Sequence, residues 1–178
     1  MSTLPAPAPR RGQRPLDGFV AALDPLMSVA IPSRAQAVAV TLEPWLARQD
    51  LLDGCDCMPC PDRYARRLVH VDPTGRFTVL ALIWSPGQAS PIHAHKTWCA
   101  LGVHSGALSE SFFQAPCGAT RTQYLSTRPR CTGTSSHGAA DPSLIHQIAN
   151  RGDGPAVSIH VYGVGLDAIE CGVNQIHA

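Results

Sequence analysis

After Pro61 the chain breaks into short apolar runs separated by turns rich in glycine and proline, and this punctuation most constrains its fold. Residues 67–71 and 76–84 are two such runs, ending at Asp72-Pro73-Thr74-Gly75 and Ser85-Pro86-Gly87. Others follow at 98–104, 107–113, 120–126, 144–149 and 156–163. Runs of this length between turn residues read as strands. Many of them in series give a sandwich or a closed barrel. The 16 prolines and 15 glycines suit such a loop-rich body better than a helical bundle.

The start of the chain has a different character. Residues 1–14 are rich in Pro, Ala and Arg and read as a flexible arm. Phe19, Val20, Leu23 and Leu26 then fall on one face of a helix, with Asp17 as its expected cap. A second helix is expected over 33–48, with Val38, Leu42, Trp45 and Leu46 as its apolar stripe. The expected organisation is an arm at 1–14, a helical segment at 15–60 packed on the barrel, and a β-barrel at 61–178.

Charge excludes some functions. The formal net charge is only +1, and charged residues make up 15% of the chain, against roughly 25% in an average domain. Neither a nucleic-acid surface nor a membrane-binding patch is expected from this balance. No apolar run approaches the roughly 20 residues that a spanning helix needs. The seven cysteines are odd in number, with no sign of export, so reduced thiols in a cytoplasmic protein are expected. Three of them, Cys55, Cys57 and Cys60, lie close enough in sequence to hold a metal. They lack a fourth ligand at familiar spacing, and a compact loop of thiols is the plainer reading.

The chemistry concentrates in histidines. Residues two apart on a strand point the same way, so His93 and His95 can reach one metal ion together. His146, in the strand-like run Leu-Ile-His-Gln-Ile-Ala, can supply a third ligand. Ser158, His160 and Tyr162 alternate with Val157, Ile159 and Val161, so three polar groups share one face of another strand. That face lines a cavity or meets solvent. Three imidazoles leave open positions on a six-coordinate ion, although imidazole alone does not select iron over zinc, copper or nickel.

The combined spacing resembles the cupin pattern: Gly87, five residues, His93-x-His95, three residues, Cys99 in place of the usual Glu, six residues, Gly106. His146-x3-Asn150 resembles its second half. With Tyr64-Ala-Arg66-Arg67, Trp84-Ser-Pro-Gly-Gln and Ser158-Ile-His160-Val-Tyr162, the chain is similar to the thiol dioxygenase family of cupins. The resemblance implies a mainly β jelly-roll barrel with a short N-terminal helical segment. It implies one Fe(II) per chain on His93, His95 and His146, with dioxygen as co-substrate and a relay of Ser158, His160 and Tyr162. It also implies a cross-link between Cys99 and Tyr162 as the counterpart of a thioether in some members. The Asp common between the two metal histidines is Ala94 here, which removes a hydrogen bond that steadies a ligand.

The family's substrates are small carboxylated thiols, and the resemblance assigns the carboxylate to Arg66. No Arg or Lys follows Arg151, so the C-terminal arginine expected of 3-mercaptopropionate enzymes is missing. Arg67, the single lysine Lys96 and His104 are further cations expected near the mouth. A second cation suits a dicarboxylate, and the layout of Arg66, His93, His95 and His146 with the Trp84-Ser-Pro-Gly-Gln stretch resembles the mercaptosuccinate dioxygenases. The resemblance thus implies mercaptosuccinate as the leading substrate, followed by cysteine and then 3-mercaptopropionate. Two rival readings are a non-catalytic metal-binding cupin sensor and a zinc or nickel enzyme of other chemistry.

Overall fold

The structure is a computed structural model, and it describes residues 14–116 and 121–178. Apart from Arg14, the expected arm lies outside the described residues. The N-terminal segment comprises α1 (Pro15–Leu23), a 3-10 turn (Asp24–Ser28) and α2 (Ile31–Leu46). Phe19 and Leu23 are buried and Val20 and Leu26 pack beside them, as their spacing predicts. Asp17 is not the cap. Pro15 opens α1, because its fixed φ and missing N–H suit a first turn. The Arg14 carbonyl therefore accepts from Asp17 N, and the Asp17 carboxylate pairs with Arg14 at 2.9 Å. Likewise α2 starts at Ile31 rather than 33, with Pro32 in its first turn, and ends two residues after Pro44. Its stripe of Val38, Leu42, Trp45 and Leu46 is buried as expected.

The rest of the chain is mainly β. β1 (Ala65–Val71), β2 (Thr78–Trp84), β9 (Ala156–Tyr162), β4 (Cys99–Ser105) and β7 (Ser135–Gly138) form one antiparallel sheet in that order. β10 (Asn174–Ile176), β3 (His93–His95), β8 (Ile145–Ala149), β5 (Ala107–Gln114) and β6 (Gln123–Cys131) form the other. A short helix, α3 (Leu166–Cys171), connects β9 to β10.

The first sheet is covered on both sides, which explains why β2 reads as an unbroken apolar run and is buried throughout. Val79, Ala81, Ala100, Ile159 and Val161 meet α1 and α2. Leu80, Leu82, Trp84, Leu101 and Val103 point the other way, into the space between the sheets, where they meet Leu108 and Ile148. The close seating of α2 on β4 depends on Gly102. A Cβ there would stand 2.5 Å from Leu46 Cδ1 and 3.0 Å from Leu42 Cδ2.

Edge elements depart most from the sequence reading. β6 spans Gln123–Cys131 rather than 120–126, and residue 120 lies outside the described residues. It contains Pro129, which an outermost strand tolerates because one side of its backbone needs no ladder partner. β7, α3 and β10 were not expected. Ser135-Ser136-His137-Gly138 carries no apolar residue by which to read a strand. Among the described residues, no helix is long and apolar enough to cross a membrane.

Candidate active site

β3 and β8 are neighbours, and His93 lies directly opposite His146 in their register. His93, His95 and His146 are buried, and one ring nitrogen from each lies within 4.8 Å of the other two. His93 Nε2 stands 3.0 Å from His95 Nε2, and His146 Nε2 stands 3.5 Å from it. Nitrogens about 2.1 Å from a shared ion and at right angles would be about 3.0 Å apart, so the spacing fits one ion.

The far side of two rings fixes which nitrogen is free. His93 Nδ1–H donates to the Pro91 carbonyl at 2.9 Å. His146 Nδ1–H donates to the Glu110 carboxylate at 2.8 Å. Each Nε2 therefore offers a lone pair toward the shared point. Burial, followed by neighbouring histidine charge, pulls His93 down to about 4 and His95 to about 2, so both are neutral donors at neutral pH. Of the potential ligand groups among the described residues, only these three converge in this way.

Glu110 is the residue that sequence reasoning missed. It lies on β5 with 2% of its surface exposed, between His146 and Arg130. Arg130 Nε donates to it at 2.7 Å and is itself tied to the Ser135 carbonyl and Ser136 Oγ, both at 3.1 Å. Burial works to raise the Glu110 pKa. The His146 hydrogen bond and the Arg130 charge outweigh it and hold the group at about 2. A carboxylate behind a histidine fixes the tautomer and makes the ring a better ligand. The signal was present in Leu108-x-Glu110-x-Phe112, where alternation puts a carboxylate on the interior face. Glu110 and Pro91 hold His146 and His93 even though Ala94 offers no side-chain hydrogen bond.

Ser158, His160 and Tyr162 point into the same space. Ser158 Oγ lies 2.9 Å from His160 Nε2, and Tyr162 Oη lies 3.4 Å from His160 Nδ1. Trp84 Nε1–H, a partner the sequence did not reveal, donates to Ser158 Oγ at 2.9 Å. Burial pulls His160 down to about 3, so its ring is neutral. With the Ser158 hydroxyl donating to His160 Nε2, the chain runs Trp84 N–H to Ser158 Oγ, Ser158 O–H to His160 Nε2, then His160 Nδ1–H to Tyr162 Oη. The Tyr162 proton is left for another acceptor, and burial pushes its pKa well up. The Tyr162 ring stands edge-on to His95, with centroids 5.6 Å apart. Cys99 lies directly opposite Tyr162 in the register, and its thiol donates to the Ala100 carbonyl at 3.7 Å.

A cavity beside the three histidines is lined by Tyr64, Leu82, Trp84, His160, Tyr162 and Asn174. Tyr64 stacks on Trp84 with centroids 4.4 Å apart and also borders an outer groove with Arg63 and Arg66. Arg66 pairs with Leu82 across β1 and β2, so it shares the cavity-facing side of the sheet. It is exposed, and no carboxylate of the described residues pairs with it. Asn174, opposite His95 in the register, brings a buried Oδ1 with no hydrogen-bond partner.

The other expected cations each have partners of their own. His104 sits at a bulge in β4, and its Nδ1–H donates to the Leu46 carbonyl of α2, away from the cavity. Lys96 Nζ donates to the Gly172 carbonyl at 3.2 Å. Arg67 borders the outer groove with Arg63 and Arg66, and there it staples the preceding loop through Asp56 and Met58. Cys55 and Cys57 pack against the helical core, and the three clustered cysteines form no metal-binding group. Asn150 donates to the Trp84 and Gly154 carbonyls and braces loops rather than the site.

A family profile described as Cysteine dioxygenase type I matches residues 58–171. The cysteine dioxygenase type 1 of Danio rerio is 31% identical over 106 residues, covering 56% of this chain and 51% of its own. The Rattus norvegicus protein of the same name is 29% identical over 107 residues, covering 59% of this chain and 53% of its own. The chain thus spans about half the length of the curated relatives it matches. Among solved structures, TT1209 from Thermus thermophilus aligns with a TM-score of 0.48 and 16% identity, over 60% of this chain and 89% of that one. A Cupin 2 conserved barrel domain protein from Salinispora arenicola aligns with a TM-score of 0.42 and 20% identity, over 56% of this chain and 74% of that one.

Proposed function

Because the chain belongs to the cysteine dioxygenase type I family, we propose that it is a thiol dioxygenase holding Fe(II) on His93, His95 and His146. It adds both atoms of dioxygen to the sulfur of a small carboxylated thiol. The observation that carries this reading is the junction of three converging imidazoles with a cavity flanked by Arg66 and Tyr162. His93, His95 and His146 would hold the iron, which would supply the redox chemistry between a thiol and dioxygen. Overall, the thiol sulfur is oxidised to a sulfinate, the dioxygen is reduced, and the thiol proton is released.

The protein's own groups orient the reactants. Arg66 clamps a carboxylate, for which a planar guanidinium is suited by its paired donors. Tyr64 and Trp84 wall the cavity and exclude water from one side. The Trp84–Ser158–His160 chain feeds hydrogen bonds toward Tyr162 Oη, so the phenol is positioned to donate its proton into the cavity. Tyr162 acts as a hydrogen-bond donor to the reacting oxygen and is not a metal ligand. The placement of Cys99 opposite Tyr162 on paired strands supports a thioether cross-link, whose formation removes two protons and two electrons, taken up by dioxygen as hydrogen peroxide. An intact-mass shift of one hydrogen pair, localised by peptide mapping to these residues, tests it.

Mercaptosuccinate is the leading substrate, giving sulfinosuccinate, which hydrolyses to succinate and sulfite. The support is cationic: Arg63 and Arg66 border one groove, which suits a dianion. Cysteine is the second reading, favoured by the cysteine dioxygenases among the relatives and by the unpartnered Asn174 Oδ1, an acceptor for an ammonium group. The test is oxygen uptake by anaerobically Fe(II)-loaded protein with mercaptosuccinate, cysteine and 3-mercaptopropionate. Fastest turnover of mercaptosuccinate is expected. Uptake with none of the three refutes the dioxygenase reading and favours a binding module.

A further inference from the structure

The three imidazoles are reached from two opposite sides of the sandwich. The cavity already described opens toward β1 and β10. A second cavity opens toward the other edge, where β7 and β6 end their sheets, and it also touches His95 and His146. Its walls include Leu101 of β4, Phe112 of β5, Gly138 of β7, and Leu144.

The two sides differ in chemistry. Arg63 and Arg66 both lie on the first side. The second has no Arg or Lys in its lining among the described residues, and Glu110 there is already engaged by Arg130 and His146, so nothing in it holds a carboxylate. Apolar walls without charge complementarity suit a small neutral molecule, and apolar cavities in proteins take up xenon and similar guests. Gly138 keeps the passage open. A Cβ at this position would have a single neighbour within 4 Å, Leu144 Cδ1 at 3.8 Å. Its backbone φ is not positive, so a side chain can be added there without backbone strain.

We propose that this second cavity is the entry route for dioxygen, separate from the thiol's route past Arg66. The inference rests on the dioxygenase reading above. It explains how an apolar gas reaches the site while the anionic substrate fills the opposite cavity.

The test fills the passage with Gly138→Leu and, from its exposed rim, with Leu144→Trp, which leaves the strand pairing untouched. Crystals of the wild-type protein under xenon pressure should show xenon between Leu101, Phe112 and Leu144, and crystals of the variants should not. With Fe(II)-loaded protein, the KM for dioxygen should rise about tenfold while the KM for the thiol stays within about twofold. The association rate of nitric oxide, read without thiol turnover, should fall in parallel. An empty wild-type cavity under xenon, or variants that exclude xenon without slowing nitric oxide, overturns the route. If no thiol is oxidised, the dioxygenase reading fails, while xenon and nitric oxide still decide whether gas travels this way.

Discussion

Replacing Glu110 by Gln should loosen the metal without emptying the site of imidazoles. The amide keeps the shape and one acceptor oxygen for His146 Nδ1–H, now 2.8 Å from a carboxylate, but removes the charge. A charge-assisted hydrogen bond is about twice as strong as a neutral one. Loss of such an outer partner typically costs about 10–100-fold in metal affinity, or about 1.4–2.7 kcal/mol. The metal-free protein should also lose stability. Breaking a buried ion pair costs about 3–5 kcal/mol, but Arg130 retains Ser135 and Ser136, so about 2 kcal/mol is expected. Competition for Fe(II) against a chelator, with metal-free unfolding measured in parallel, separates the two effects. Iron affinity within twofold of wild type would refute the role assigned to the carboxylate, whatever happened to stability.

Four further outcomes follow from the same geometry. Tyr162→Phe should retain one iron per chain by metal analysis while turnover falls by about 10²-fold, the lower range for a positioned proton donor; loss of iron would contradict its place outside the ligand set. Arg66→Gln should raise the thiol KM by about 10–100-fold in steady-state assays, the scale of a hydrogen bond between charged groups. Asn174→Leu should alter the ratio of kcat/KM for mercaptosuccinate and cysteine more than that for 3-mercaptopropionate, measured by product analysis. Asp72 is buried and held well below the usual carboxylate range, first by its hydrogen bond with Arg76 and also by Thr74. Its stabilisation is present above the ordinary carboxylate pKa and is lost as pH falls below it, so Asp72→Asn should flatten the acid limb of a denaturation series.

The sequence was most legible where one physical demand dominated. The unbroken run in β2 reflects burial on both faces, and the stripe of Val38, Leu42, Trp45 and Leu46 reflects one covered helix face. The alternation of Ser158, His160 and Tyr162 marked a polar face in an otherwise buried strand. It was least legible where long-range pairing decides. His104 was expected at the mouth, but the bulge between Val103 and Ser105 and the Leu46 carbonyl hold it under α2. Glu110 looked like an ordinary polar residue because its partners, His146 and Arg130, lie far away in sequence. β7 carries no apolar residue and exists by pairing with β4 along an edge.

X-ray absorption by the Fe(II)-loaded protein before thiol is added tests the central claim most directly. The account predicts one iron per chain with three imidazole nitrogens at about 2.1 Å and no sulfur neighbour. Sulfur scattering, which would place the metal on Cys55, Cys57 and Cys60, or fewer than three imidazoles, would contradict it.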